Sequence, residues 1–135
     1  MTRLLIDTNI IIDLLAQREP FYDAASKLFS KADHGEITLL VSSLSFANTY
    51  YILAQQLPDI KTHQILRNLK TITSVLDLNS KIIDLSLNSK FKDFEDALQY
   101  FSGLENKADI IITRNQKDFK QSSIPVMNAF EFLAK

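Results

Sequence analysis

The sequence predicts an α/β fold with a mainly parallel sheet covered by helices on both faces. Three observations carry that expectation. Apolar runs at Leu4-Leu5-Ile6, Ile37 to Val41 and Ile110 to Ile112 are too short for helices and are bounded by polar residues. The last is a β-branched run, the clearest strand in the chain. Segments of helical period lie between these runs, so strand, helix and strand alternate and imply parallel βαβ units.

The chain opens on Leu4 to Ile6, a buried strand that turns at Asp7 directly into a helix holding Ile10 to Leu15, with Thr8 or Asn9 able to cap it. Gln17 to Pro20 breaks the pattern, and Pro20 suits the first turn of a second helix. Ala24, Ala25, Leu28, Phe29 and Ala32 continue that helix until Gly35 stops it. Ile37 to Val41 is the second strand. Ser42 to Ser45 offers caps for a third helix with Phe46, Tyr50 and Leu53 on one line, ended by Pro58-Asp59. Lys61 to Leu69 is helical and Ile72 to Leu76 a strand; Asn79 or Ser80 starts a helix carrying Ile82, Ile83, Leu85 and Leu87. From Asp93 a helix places Ala97, Leu98, Phe101 and Leu104 inward. Asp109 to Thr113 spans the fourth strand. Pro125 to Met127 is a brief last strand and Ala129 to Ala134 a closing helix.

The totals bound the function. With 135 residues and 46% hydrophobic content the chain fits one domain, residues 1–135, with a sizeable core. There is no cysteine, hence no disulfide framework and no thiolate ligand or nucleophile, which suits a reducing cytoplasm. Fifteen basic and sixteen acidic residues give a net charge of −1, so nucleic acid would be held by local patches and metal ions rather than by a global field. Asp7 interrupts the first apolar run, so no signal peptide is expected. The uncharged stretch Ile37 to Pro58 is long enough to span a bilayer, but its serines, Asn48, Thr49 and glutamines make it a buried soluble segment. With only Gly35 and Gly103, no Gly-rich phosphate loop exists, and the serines at 42, 43 and 45 lack a nucleophile elbow.

Three strand-to-helix edges carry polar groups able to converge. The first has Asp7 and Asn9, the second the serines and Asn48, the fourth Thr113, Arg114, Asn115 and Asp118. A helix start adds Asp93, Glu95 and Asp96. The carboxyl edge of a parallel sheet is where ligands bind, so Asp7 faces a crevice. Each feature also has a plain reading. Asp7 alone is an N-cap; Asp93 to Asp96 complement a helix dipole; Lys117-Asp118-Phe119 is a surface turn. Asp13 is a surface charge or an ion-pair partner, and His34 and His63 are surface residues. Crowded carboxylates repel unless a cation sits among them, and oxygen donors without Cys or a suitable His select Mg²⁺ or Mn²⁺.

Asp7-Thr8-Asn9 after an apolar run, the segment Phe94 to Gln99, and the segment Ile112 to Phe119 resemble the marker segments of PIN-domain ribonucleases, most of all the toxins of VapBC toxin–antitoxin modules. That resemblance covers essentially the whole chain and implies a three-layer α/β/α domain with a sheet of about four to five strands. It implies Asp7 and Asp96 as metal ligands, Asp118 completing a catalytic acidic pocket, and Asn115 or Thr113 orienting water or phosphate. It also implies Mg²⁺- or Mn²⁺-dependent cleavage of RNA by an in-line water, an antitoxin partner seated near Phe46, Tyr50, Tyr51 and Leu53, and a homodimer face. Lys90, Lys92, Arg114, Lys117 and Lys120 are candidates to contact RNA or else solvated charges. The family usually has an acid where this chain has Asn48. Either Asp93 or Glu95 compensates, or metal binding is weakened and the domain serves as an RNA- or protein-binding module. Asn48 is otherwise a capping residue at the third helical position behind Ser45.

Overall fold

The computed structural model describes residues 1–135 and contains a five-stranded sheet, every adjacent pair parallel. Its strands are β1 (Arg3–Ile6), β2 (Thr38–Ser42), β3 (Ser74–Leu76), β4 (Ile110–Ile112) and β5 (Val126–Met127), in the spatial order β3-β2-β1-β4-β5. Seven helices connect and cover them: α1 (Thr8–Leu15), α2 (Tyr22–Asp33), α3 (Ser43–Ala54), α4 (Asp59–Ile72), α5 (Ser80–Leu87), α6 (Phe94–Glu105) and α7 (Ala129–Leu133). A 3₁₀ turn, Gln116–Phe119, follows β4.

The pleat sorts the strand residues into two cores. Leu4, Ile6, Leu39, Val41 and Ile112 face one side, packed with Ile10, Ile11, Leu28, Leu66 and Leu69; Leu5, Leu40 and Ile111 face the other, packed with Leu76, Tyr100, Phe119 and Ile124. Strands buried on both faces must be apolar at every position, which is why these runs show no polar alternation. Each fully buried Leu or Ile contributes about 1.5–3 kcal/mol. On the second face α6 comes close to β1: a Cβ on Gly103 would stand 2.8 Å from Leu5 Cδ2, so the absent side chain sets that approach.

The chain steps outward from β1 to β2 to β3, then returns past β1 to add β4 and β5. The reversal makes the carboxyl ends of β1 and β4 a topological switch point, where the flanking connections leave to opposite sides and open a crevice. Asp7 and Thr113 end those two strands.

Several boundaries differ from the sequence expectation. Pro20 lies in the turn before α2, which starts at Tyr22. Asp7 itself caps α1, accepting from Thr8 N at 2.7 Å, rather than Thr8 or Asn9. Ser42, not Ser45, caps α3 and accepts from Ser45 N at 3.0 Å; Asn48 therefore sits in the second turn, outside any capping box. The inward line of α3 is Ser45, Thr49 and Leu53, with Phe46 and Tyr50 partly buried beside it and Tyr51 exposed. Ile72 ends α4 and β3 begins only at Ser74. Leu104 turns outward on α6, where Gln99, Tyr100, Ser102 and Gly103 join Ala97 and Leu98 on the inner face. No helix is long and apolar enough to cross a membrane.

Candidate active site

Asp7 stands at the switch point with its carboxylate surrounded by donors. Oδ1 accepts from Thr8 N at 2.7 Å and Gln99 Nε2 at 3.0 Å; Oδ2 accepts from Thr113 Oγ1 at 2.8 Å and, weakly, from Asn9 Nδ2 at 3.5 Å. A carboxylate has about four lone-pair positions, so three are firmly occupied and the fourth is loosely held. Burial pushes the Asp7 carboxyl above its ordinary value, Asp118 adds repulsion, and the hydrogen bonds from Thr113, Thr8 and Gln99 pull it back down.

Asp96 projects from the first turn of α6 toward the same crevice. Its carboxyl is pushed up to about 7, first by desolvation, then by the charges of Asp93, Asp118 and Asp7, and by a hydrogen bond with Asp93. Residues far apart in the chain, Asp7, Asp93, Asp96 and Asp118, are thus brought within electrostatic range at one crevice. Asp93 also caps α6, accepting from Glu95 N at 3.3 Å, so its plain and chemical readings coexist. Asp118 is exposed on the 3₁₀ turn, where its backbone N–H donates to Asn115 O at 3.0 Å.

The polar candidates separate into distinct roles. Thr113 is fully buried, and its only hydroxyl proton goes to Asp7, so it holds the carboxylate and has none left for water or phosphate. Asn115 is exposed, and its backbone N–H donates to Thr113 Oγ1 at 3.0 Å. Asn48 donates through Nδ2 to Glu95 Oε1 at 3.2 Å, bringing the carboxylate of Glu95 beside the helix position that lacks one. A hollow of about 260 Å³ beside the acids is lined by Phe91, Lys92, Asp93, Asp96, Lys117, Asp118, Lys120 and Gln121. It combines acids with three lysines. Lys90 is not part of that lining. Arg114 lines a different hollow, where Nε and Nη2 donate to Asp13 at 2.8 and 3.0 Å; Asp13 is only 1% exposed, a buried ion-pair partner rather than a surface charge.

A family model described as PIN domain matches residues 3–117, nearly the whole sheet and all four acids except one. The chain belongs to the PIN domain family. The residue outside that match is Asp118, one position beyond its end. Ribonuclease VapC1 of Aquifex aeolicus (strain VF5) is 26% identical over 138 residues, covering 96% of this chain and 92% of that one. Among solved structures, a toxin-antitoxin complex from Klebsiella pneumoniae superposes with a TM-score of 0.70 at 22% identity, covering 93% of this chain and 97% of that one. VapBC-1 from nontypeable Haemophilus influenzae does so with a TM-score of 0.70 at 18% identity, covering 96% and 99%. At these identities the two structures share the PIN fold with this chain.

The PIN domain's acids have the chemistry a divalent ion needs. All donors are oxygens, and beyond the effect of burial the Asp96 carboxyl is raised by repulsion from Asp93, Asp118 and Asp7, which a cation relieves. As the side chains stand, no three acidic or histidine groups form a ready cage. Gln99 escaped the sequence reading as a support of Asp7, and Ser42, expected as a cap or a polar group at the second edge, is its partner. Gln99 is 6% exposed and bonded to Asp7, and Ser42 is 1% exposed and bonded to Gln99. A glutamine one turn after Asp96 on the inner side of an amphipathic helix was the available signal, since a buried amide demands partners.

Proposed function

We propose that this PIN domain, spanning residues 1–135, is a Mg²⁺- or Mn²⁺-dependent endoribonuclease. We read it as the toxin of a cytoplasmic toxin–antitoxin pair, able to form a homodimer. The observation that carries the reading is the convergence of Asp7, Asp96 and Asp118 at the switch point, with the Asp96 carboxyl raised to about 7 by burial first and then by its acidic neighbours. The name of the Aquifex relative, a ribonuclease, and that of the Klebsiella structure, a toxin-antitoxin complex, support substrate and partner.

Asp7 and Asp96 would hold the ion, with Asp118 completing the negative pocket. When bound, the ion supplies Lewis-acid polarisation and a lowered water pKa. The chain's own residues do the rest. Thr113, Thr8 and Gln99 fix the direction of the Asp7 carboxylate, and their hydrogen bonds oppose the upward push of burial on its carboxyl. With the Thr113 proton committed to Asp7, Asn115 would be the group that orients water or phosphate. Lys92, Lys117 and Lys120 hold the flanking phosphates so that water meets the scissile phosphorus in line with the leaving oxygen. The test is RNA cleavage by the pure protein with Mg²⁺ or Mn²⁺, expected to vanish with chelator.

Asn48 favours a second reading, a weakened PIN-like module that binds RNA or protein. Tight RNA or partner binding with no divalent-ion uptake in calorimetry and no cleavage would establish it instead.

The lysines give a separate expectation. Lys92→Ala, Lys117→Ala and Lys120→Ala should each lower the slope of log affinity against log salt by about 0.7 for a single-stranded RNA, while Lys90→Ala leaves it unchanged. Fluorescence anisotropy at several salt concentrations measures this, and slopes that all stay at the wild-type value would return the lysines to plain surface charges.

A further inference from the structure

We propose that Gln99 is a positioning residue for Asp7, locked in one orientation by Ser42; its consequence for catalysis rests on the nuclease reading. Gln99 lies on the inner face of α6, one turn beyond Asp96, and is 6% exposed. Burying an amide there carries a penalty unless its polar atoms are matched, and an apolar side chain of the same length would fill the space as well. Both ends are matched. Ser42 Oγ donates to Gln99 Oε1 at 2.8 Å, and Gln99 Nε2 donates to Asp7 Oδ1 at 3.0 Å. Ser42 Oγ also accepts from Ser45 N at 3.0 Å as the cap of α3, which leaves its own proton for Gln99. The reversed amide would set Oε1 against a carboxylate oxygen, so the neighbours on both sides select one orientation.

This relay joins the carboxyl end of β2, the inner face of α6 and the carboxyl end of β1. It aims Asp7 by an amide held at both ends, while Thr113 fixes the other oxygen at 2.8 Å. A group that orients a metal-holding carboxylate typically changes ion affinity or rate by about ten- to a hundredfold when removed. A residue that merely fills the core changes neither in the folded protein.

The experiment is Mn²⁺ binding to metal-free protein, followed by the electron paramagnetic resonance signal of free Mn²⁺, for wild type, Gln99→Leu, Ser42→Ala and Ser42→Thr. Gln99→Leu should weaken binding about ten- to a hundredfold. Ser42→Ala should weaken it in the same direction, and Ser42→Thr, which keeps the hydroxyl, should restore it. A folded Gln99→Leu protein that binds Mn²⁺ like wild type overturns the proposal. Should that variant not fold, NMR of the otherwise unaltered protein decides: the Gln99 side-chain amide protons should move upfield in Asp7→Asn, and resonances that stay put overturn the contact. Wild type that neither binds Mn²⁺ nor cleaves RNA defeats the nuclease reading instead, while the NMR comparison still judges the relay.

Discussion

Asp96→Asn is expected to lower RNA cleavage by about a hundred- to a thousandfold while making the metal-free protein more heat-stable above neutral pH. The two effects have one origin. Burial and the charges of Asp93, Asp118 and Asp7 raise the Asp96 carboxyl from 3.8 to about 7, so the folded chain binds a proton the unfolded chain has lost across that interval. Stability then falls as pH rises, because the unfolded state holds fewer protons. The favourable contribution of the neutral acid is complete below about pH 4 and disappears as pH climbs through about 7. Asparagine keeps the shape without the charge, so its melting temperature should decline less across this window than that of wild type. Adding Mg²⁺ to wild type at about pH 8 should recover the lost degrees, since an ion bound only by the folded state stabilises it. Scanning calorimetry with and without chelator measures all three. A wild-type melting temperature that does not fall with pH, or an Asp96→Asn protein that cleaves at the wild-type rate, would contradict the electrostatic account of the site.

The strands were legible because a sheet covered on both faces accepts apolar side chains at every position, so Leu4 to Ile6 and Ile110 to Ile112 stand out as uninterrupted runs. Asp7 was legible for the complementary reason: an acid that ends such a run stands where the sheet opens. The α3 helix was harder. Phe46, Ala47, Tyr50, Tyr51, Leu53 and Ala54 spread around the whole helix, and the line it buries includes Ser45 and Thr49, whose hydroxyls are satisfied locally and by Thr8. Three serines in four residues likewise offer three caps with nothing local to choose among them. Two pairings were illegible because each joins residues far apart in the chain. Gln99 meets Asp7 across 92 positions, and Asp13 meets Arg114 across 101. Periodicity informs about neighbours on one element, so it offered Asp13 as a surface charge or an ion-pair partner without naming Arg114.

Arg114→Met is expected to destabilise the protein by about 3–5 kcal/mol, a large share of the roughly 5–15 kcal/mol typical of a domain, while leaving the cleavage rate per folded molecule near wild type. Asp13 is 1% exposed, and both of its oxygens accept from the Arg114 guanidinium, at 2.8 and 3.0 Å. The same guanidinium lies 4.1 Å from the ring centroid of Phe21, the residue before α2, a cation–π contact that ties the start of that helix to the segment after β4. Removing the arginine strands a buried carboxylate with no counter-charge, and that uncompensated group dominates the loss. The companion experiment separates an anchor from an RNA contact. In Asp13→Leu/Arg114→Met no charge remains to be stranded, so much of the lost stability should return. If Arg114 instead held a phosphate, the double variant would stay defective in RNA binding, with a reduced salt slope even after stability recovers. Urea midpoints give the first comparison and anisotropy the second. Because the guanidinium already serves Asp13 through Nε and Nη2 and lies outside the acidic hollow, the expected outcome is recovered stability with an unchanged salt slope.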